Sequence, residues 1–290
     1  MNTIDNEYYK IKTENYSFYL IINKNIATHT ITIGGKKEAC VNISVNTEKS
    51  LAVQRKFHKL DTATIPILGW DSLCSIDKPL ERGSGTLHMI KTILSETQKR
   101  YPYITNYTLT DNSHIRCTSG KDISLSALSL IEYKMSWYER HFNASLSDDR
   151  LKEKYKKGKD ILSEPELKMP LDQFQQYIRP YTSIKVIQSL EPFYNSETYF
   201  GFFENILKHK GKYETCDLVV DWIDIFIKYI FQFDIEKAEW SIPSNSIETI
   251  ITESKELKKN PYKNQNSLQS GGTRKNRVNV GDGFQKEYSA

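Results

Sequence analysis

The chain has 290 residues, 38% hydrophobic, 12% aromatic and 26% charged, with a formal net charge of +4. At about 150 residues per domain this is one large or two modest domains. A mean hydropathy of −0.57 argues against a membrane-embedded protein. The aromatic content argues against disorder throughout, and 13 Gly, 9 Pro and 4 Cys argue against collagen-like, coiled-coil and small disulfide-scaffold classes.

Met1 to Glu7 holds neither a basic stretch nor an apolar run, so no secretory signal is read there. Residues 1–60 read mainly as strand. Ser17 to Ile22 is a β-rich run, Asn23 to Asn25 is turn chemistry, and Ile26 to Ile33 is a second run. Gly34-Gly35 ends it, and Cys40 to Val45 alternates again. An antiparallel meander with one buried face is expected. Residues 51–58 read as a further strand or a short helix. Ile65 to Leu68 is apolar, and Pro66 inside it points to an edge or irregular segment.

Glu81-Arg82-Gly83-Ser84-Gly85-Thr86 is a glycine loop. Leu87, Ile90 and Leu94 follow at helical spacing, and Lys99-Arg100 with Pro102 suit the helix end. Ile104 to Thr110 reads as strand, closed by Asp111-Asn112-Ser113. A second helix is expected from Ser124 to Phe142, with Leu128, Ile131, Met135, Tyr138 and Phe142 on one face. From about 147 the chain reads as helical: Asp148 to Leu162, Pro170 to Ile178, Glu197 to His209 and Cys216 to Phe233. Asp217, Asp221, Asp224 and Lys228 on the last of these exclude a membrane span. Residues 258–290 are rich in Asn, Gln, Ser and Gly and are expected to be disordered. Residues 254–290 carry +5, which leaves −1 for the rest. Such a basic tail suits nucleic acid, anionic lipid or an acidic partner, or remains simply solvated.

Cys40, Cys74, Cys117 and Cys216 contain no C-x-x-C pair and no zinc-finger spacing. Reduced, mostly buried thiols are expected, with no metal and a cytoplasmic or other reducing intracellular compartment. The abundance of Asn, Ile, Lys and Tyr suits an AT-rich coding genome such as that of a large DNA virus, where a place in the virion is an option. Gly271-Gly272-Thr273 resembles a Gly-Gly-X processing site of such viruses; a flexible spacer is the other reading.

Two glycines opening a helix expose successive backbone N–H groups to the positive end of the helix dipole, a place for phosphate or pyrophosphate. No G-K-[ST] follows, which excludes a Walker loop, and no third glycine completes a dinucleotide fingerprint. The order of loop, amphipathic helix, strand and second helix with Tyr138-Glu139-Arg140-His141-Phe142 resembles the GNAT N-acetyltransferase superfamily. The likeness covers about residues 80–143. Leu80 stands where Gln or Arg is usual and His141 where Gly is usual.

The resemblance implies a mixed α/β (α+β) fold, a mainly antiparallel GNAT-like sheet with flanking helices. It implies acetyl-CoA as co-substrate and transfer of its acetyl group to an amine of unknown identity. Arg82, Gly83, Ser84, Gly85 and Thr86 would hold the pyrophosphate. Asn112 matches a second cofactor signature, and Tyr138 would protonate the departing thiolate as general acid. Asp61, Asp71, Glu81 and His58 precede the loop as candidate bases; His88 and His141 lie on helices. The family's two early helices are not found before residue 80, and charged helix stands after Phe142 where two strands belong. The expected organisation is therefore a GNAT-like domain over 1–146, a helical module over 147–257 that packs on it or binds a partner, and a basic tail over 258–290. The alternative function is a catalytically silent GNAT-like structural or interaction protein, with nucleic acid reached only through the tail.

Overall fold

The computed structural model describes residues 5–47, 61–69, 71–111, 113–117, 120–188, 191–208, 219–220, 222–232, 235 and 238–262. The expectations for residues 51–58, His58, Asn112, Cys216 and the Gly271-Gly272-Thr273 segment lie outside them. The chain is mixed α/β with a mainly antiparallel nine-stranded sheet, in the order β11-β1-β2-β3-β4-β5-β6-β10-β9. It divides into two compact units. One is built from the described residues of 1–109 and 241–274, the other from those of 110–240. Strand β10 carries the chain from the second unit back to the first.

In the first unit β1 (Asp5–Lys12), β2 (Ser17–Lys24), β3 (Thr28–Gly34) and β4 (Ala39–Asn46) form an antiparallel meander. Period-two alternation puts Phe18, Leu20, Ile22, Ile31, Ile33, Val41, Ile43 and Val45 on one buried face. Helix α1 (Ser84–Arg100) packs on β3 and β4, burying Met89, Ile90, Ile93 and Leu94. Each such side chain is worth about 1.5–3 kcal/mol. Strand β5 (Thr62–Leu68) pairs antiparallel with β4 and parallel with β6 (Asn106–Thr110).

Pro66 does not demote β5 to an edge. The β4 register moves from Asn42↔Ile67 to Ser44↔Thr64, so Ile65 and Pro66 together oppose Ile43. A bulge tolerates a residue without an N–H, and an interior strand carries it there.

The segment after β10 (Glu239–Pro243) straps this unit. The Lys91 ammonium meets Glu248 at 2.6 Å, Ile250 N–H donates to Ser95 Oγ at 3.0 Å and Thr252 donates to Glu96 at 2.7 Å. Strand β11 (Glu253–Glu256) then pairs antiparallel with β1. Strands β10 and β11 fall inside 147–257, where a helical module is expected, beyond the last helix named for it. Buried Trp240 and Ile242 alternate with Glu239 and Ser241, a strand pattern too short to register beside the long helical segments.

The cysteine expectation is overturned. Cys40 and Cys74 form a disulfide across a separation of 34 residues, Cys117 is also disulfide-bonded, and no described cysteine is free. Cys40 is the second residue of β4, and Cys74 lies in the segment running from β5 to the glycine loop. That segment packs tightly: a Cβ on Gly35 would sit 1.7 Å from the Leu73 carbonyl oxygen.

The second unit holds a hairpin of β7 (His114–Arg116) and β8 (Asp122–Ser124), then helices α2 (Leu125–Tyr133) and α3 (Trp137–Phe142). The single helix expected over 124–142 is broken. Lys134 turns left-handed at φ 58, and the Ser136 hydroxyl accepts the Glu139 N–H to start a new helix. Met135, expected on the apolar face, is therefore 42% exposed. Strand β9 (Ser145–Leu146) follows Phe142 directly, and Ser147 N–H donates to the Glu239 carbonyl of β10 at 2.8 Å. Strands β9 and β10 are therefore neighbours in the sheet, and the helical segment lies between them in sequence.

That segment contains α4 (Asp149–Ser163), α5 (Leu171–Ile178), α6 (Ile184–Gln188), α7 (Glu191–Tyr194) and α8 (Tyr199–Leu207). A π-helix follows at Phe226–Phe231. Phe174, Tyr199, Phe202, Phe203, Trp222 and Phe226 form its buried aromatic core. Among the described residues no helix is long and apolar enough to cross a membrane.

Candidate functional site

The glycine loop lies in the first unit, between β5 and α1. Gly83 adopts φ 76 and ψ −91, a conformation open to glycine, and its carbonyl accepts the Leu87 N–H at 2.9 Å as the first helical bond. No side chain caps this helix, and among the described residues no acceptor meets the N–H groups of Ser84, Gly85 or Thr86. These are the orphan donors of a helix start. Gly85 is buried; a Cβ there would lie 3.1 Å from the Tyr16 hydroxyl and 3.2 Å from the Leu80 side chain. The Leu80 side chain thus fills the space under the loop.

The neighbourhood carries both charges. The Lys78 ammonium stands 4.6 Å from the Tyr16 ring centroid, and Arg82 is half-buried in the loop. Glu81 turns its carboxylate back to accept the Ser84 hydroxyl at 3.0 Å. Burial pushes the Tyr16 phenol above its ordinary pKa. His88, one turn into α1, has its Nε2 2.8 Å from Thr13 Oγ1. The Thr13 hydroxyl already donates to the Tyr16 carbonyl, so Nε2 carries the proton in that contact. Burial first, then Lys91, lowers the His88 pKa.

Strand geometry opens the same end of this unit. The parallel β5–β6 ladder runs from Thr62↔Asn106 to Ile65↔Leu109, and β5 continues past it to Leu68. Ile67 is 55% exposed. In a strand–helix–strand unit with parallel strands, the helix start lies at the strands' carboxyl ends. The glycine loop and the free end of β5 therefore share one end of the unit.

The other positions make hydrogen bonds within the fold. Asp61 accepts the Thr105 hydroxyl at 2.9 Å, Asp71 accepts the Leu73 N–H at 2.7 Å, and His141 Nε2 accepts from Arg140 at 3.3 Å.

Tyr138 lies in the second unit and is 4% exposed. Its hydroxyl donates to Asp111 at 3.2 Å. Asp111, itself buried, also accepts the Ser113 N–H at 2.9 Å and the hydroxyls of Ser113 and Ser126. Burial first, then the Asp111 charge, raises the Tyr138 pKa well above 10. A phenol held this way is a poor acid for a thiolate. The neighbouring Glu139 is equally committed: it accepts Tyr155 at 2.6 Å and Lys159 at 2.9 Å. Tyr155 in turn accepts the Ser136 N–H at 2.8 Å. Tyr138, expected as the general acid, and its neighbour Glu139 anchor α3 to Asp111 and to α4.

The structure thus brings residues 82–86 together and leaves Tyr138 in the other unit. The Asp111 hub went unread because Asp111-Asn112-Ser113 looked like an ordinary strand terminus. No group of His, Cys, Asp and Glu suited to a metal occurs among the described residues. Comparison with family models, curated proteins and solved structures finds no match.

Proposed function

We propose that this chain is an acetyl-CoA-dependent N-acyltransferase of the GNAT type. One observation carries the reading: a β5–glycine loop–α1–β6 unit whose parallel strands stop pairing at Ile65↔Leu109 at the end where the Ser84, Gly85 and Thr86 amides lack acceptors. Strands β9 and β10 after the second helix, where the resemblance expects them, support it further.

In this reading the amides of residues 84–86 bind the pyrophosphate, with Arg82 and Lys78 adding charge and Glu81 releasing Ser84. The unpaired side of β5 takes the extended pantetheine arm. An acceptor amine attacks the thioester carbonyl, the N–C bond forms as the C–S bond breaks, and the proton lost by the amine passes, directly or through water, to the departing thiolate. Tyr138, bound to Asp111, serves as a structural anchor rather than as that proton's source.

The test is release of free CoA thiol from acetyl-CoA by the full chain over a panel of peptide, polyamine and aminoglycoside amines. Release dependent on one amine class, and lost in Gly83→Asp, supports the proposal. Absence of release with every amine, while acetyl-CoA still binds, favours the second reading, a catalytically silent GNAT-like scaffold. The Glu81 carboxylate at the loop and the committed Tyr138 are the observations on its side.

A further inference from the structure

We propose that the second unit carries a stacking site for single-stranded nucleic acid, centred on Tyr181 and separate from the basic tail. Tyr181 follows α5 and is 47% exposed, although it is a large aromatic residue. One face of its ring stacks on Tyr229 of the π-helix, at 3.8 Å between centroids and an interplanar angle of 18°. Its remaining exposed area is available to a third ring.

The platform is held in place before any ligand arrives. Tyr181 N–H donates to the Ile178 carbonyl at 2.9 Å, and the Tyr177 hydroxyl donates to the Tyr229 carbonyl at 3.0 Å. Tyr177, 38% exposed, stands 6.2 Å from Tyr181 and extends the aromatic surface. A preformed aromatic surface gains affinity because little side-chain freedom is lost on binding.

Charge selects the occupant. Residues 177–188 contain Arg179 and Lys185 and no acidic residue. Both are exposed, and neither forms an ion pair among the described residues. Lys228 precedes Tyr229 and meets Asp224 only in an exposed pair at 3.5 Å, and Lys154 donates to the Gln232 carbonyl at the end of the π-helix. Exposed aromatic faces bordered by cations are what an unpaired base and its flanking phosphates require. A duplex keeps its base faces covered and cannot use the ring.

The experiment is fluorescence polarisation of the full chain with labelled oligo(dT), oligo(U) and a blunt duplex of equal length, at low and at physiological salt. Single strands are expected to bind more tightly than the duplex, with affinity falling as salt rises. Tyr181→Ala is expected to weaken binding by about 5- to 150-fold, the range of one base–aromatic stack. Tyr181→Phe is expected to retain binding, and Arg179→Glu with Lys185→Glu to flatten the salt slope. Arg179→Glu with Lys185→Glu is expected to melt with the parent, because both side chains are exposed; Tyr181→Ala loses its stack on Tyr229 and is expected to melt slightly lower while keeping the parent's circular-dichroism spectrum. The ratio of oligo(dT) to oligo(U) affinity tells DNA from RNA. Equal binding of duplex, full retention by Tyr181→Ala, or no binding of either strand overturns the proposal; retention with an unchanged salt slope assigns the binding to the tail.

Discussion

The Cys40–Cys74 disulfide closes a separation of 34 residues, from the start of β4 to the segment entering the glycine loop. In the chain-entropy treatment, removing a cross-link over a loop of that length frees the unfolded chain by about 4 kcal/mol. For a chain of this size that is a fall in melting temperature of about 8–15 °C. The perturbation is the double variant Cys40→Ala/Cys74→Ala rather than a reductant, because Cys117 is also disulfide-bonded and would be reduced too. Both sulfurs are buried, so the variant adds small cavities and the entropy figure does not carry the whole loss. Calorimetric or circular-dichroism melts of parent and variant measure the shift, and thiol titration of the denatured, unreduced parent counts free cysteines. A parent in which Cys40 and Cys74 titrate as thiols, or a variant melting within about 2 °C of the parent, would refute the reasoning.

Gly83→Ala forces a side chain into φ 76, and is expected to cost about 1–3 kcal/mol of stability in a urea melt. Tyr138→Phe removes one donor from the buried Asp111 and is expected to cost about 1.5–3 kcal/mol while sparing turnover; a 10²- to 10⁴-fold fall in turnover at unchanged stability would restore the acid role, at the usual size of such an effect (roughly). His29 and His88 both have pKa values lowered by burial, with Lys24 and Lys91 adding to the effect. The unfolded chain binds those protons first, so stability is expected to fall as pH drops below about 6.5 and through the lower folded values. NMR titration of the two imidazoles checks this by midpoints below that of a free histidine. For Glu96, burial is outweighed by hydrogen bonds from Thr252 and Lys99 and by the charges of Lys99 and Arg100, which lower its pKa. Its contribution is present above the ordinary carboxylate pKa and lost below it, and Glu96→Gln is expected to flatten the acid limb of a pH–stability curve.

Much of the sheet was readable because period-two burial was written plainly in β2, β3 and β4. Helix α1 was readable from its apolar spacing and its Lys99-Arg100 end. The break between α2 and α3 was hidden because Met135 and Tyr138 keep helical spacing across it; only the left-handed Lys134 and the Ser136 cap interrupt the chain. Strand β11 has four exposed residues and no apolar signal, so its pairing with β1 depends on the strap across α1 rather than on its own pattern. The disulfide was missed because Cys40 and Cys74 are far apart in sequence, and only the fold brings them together.

In the candidate site the glycines were legible, since a positive φ and a tight approach demand that residue type. The carboxylate partner of Tyr138 was not, because Asp111 reaches it through a tertiary contact. Nor did the sequence reveal that Glu81 would fold back onto Ser84.

The most direct test is isothermal calorimetry of acetyl-CoA with the full chain, alongside Gly85→Asp. That substitution puts a carboxylate against Tyr16 and Leu80 and a negative charge among the loop amides. The account predicts saturable binding by the parent and its loss in a variant that retains the parent's circular-dichroism spectrum. Absence of binding by the parent, or equal binding by the variant, would contradict the assignment of the loop to the cofactor.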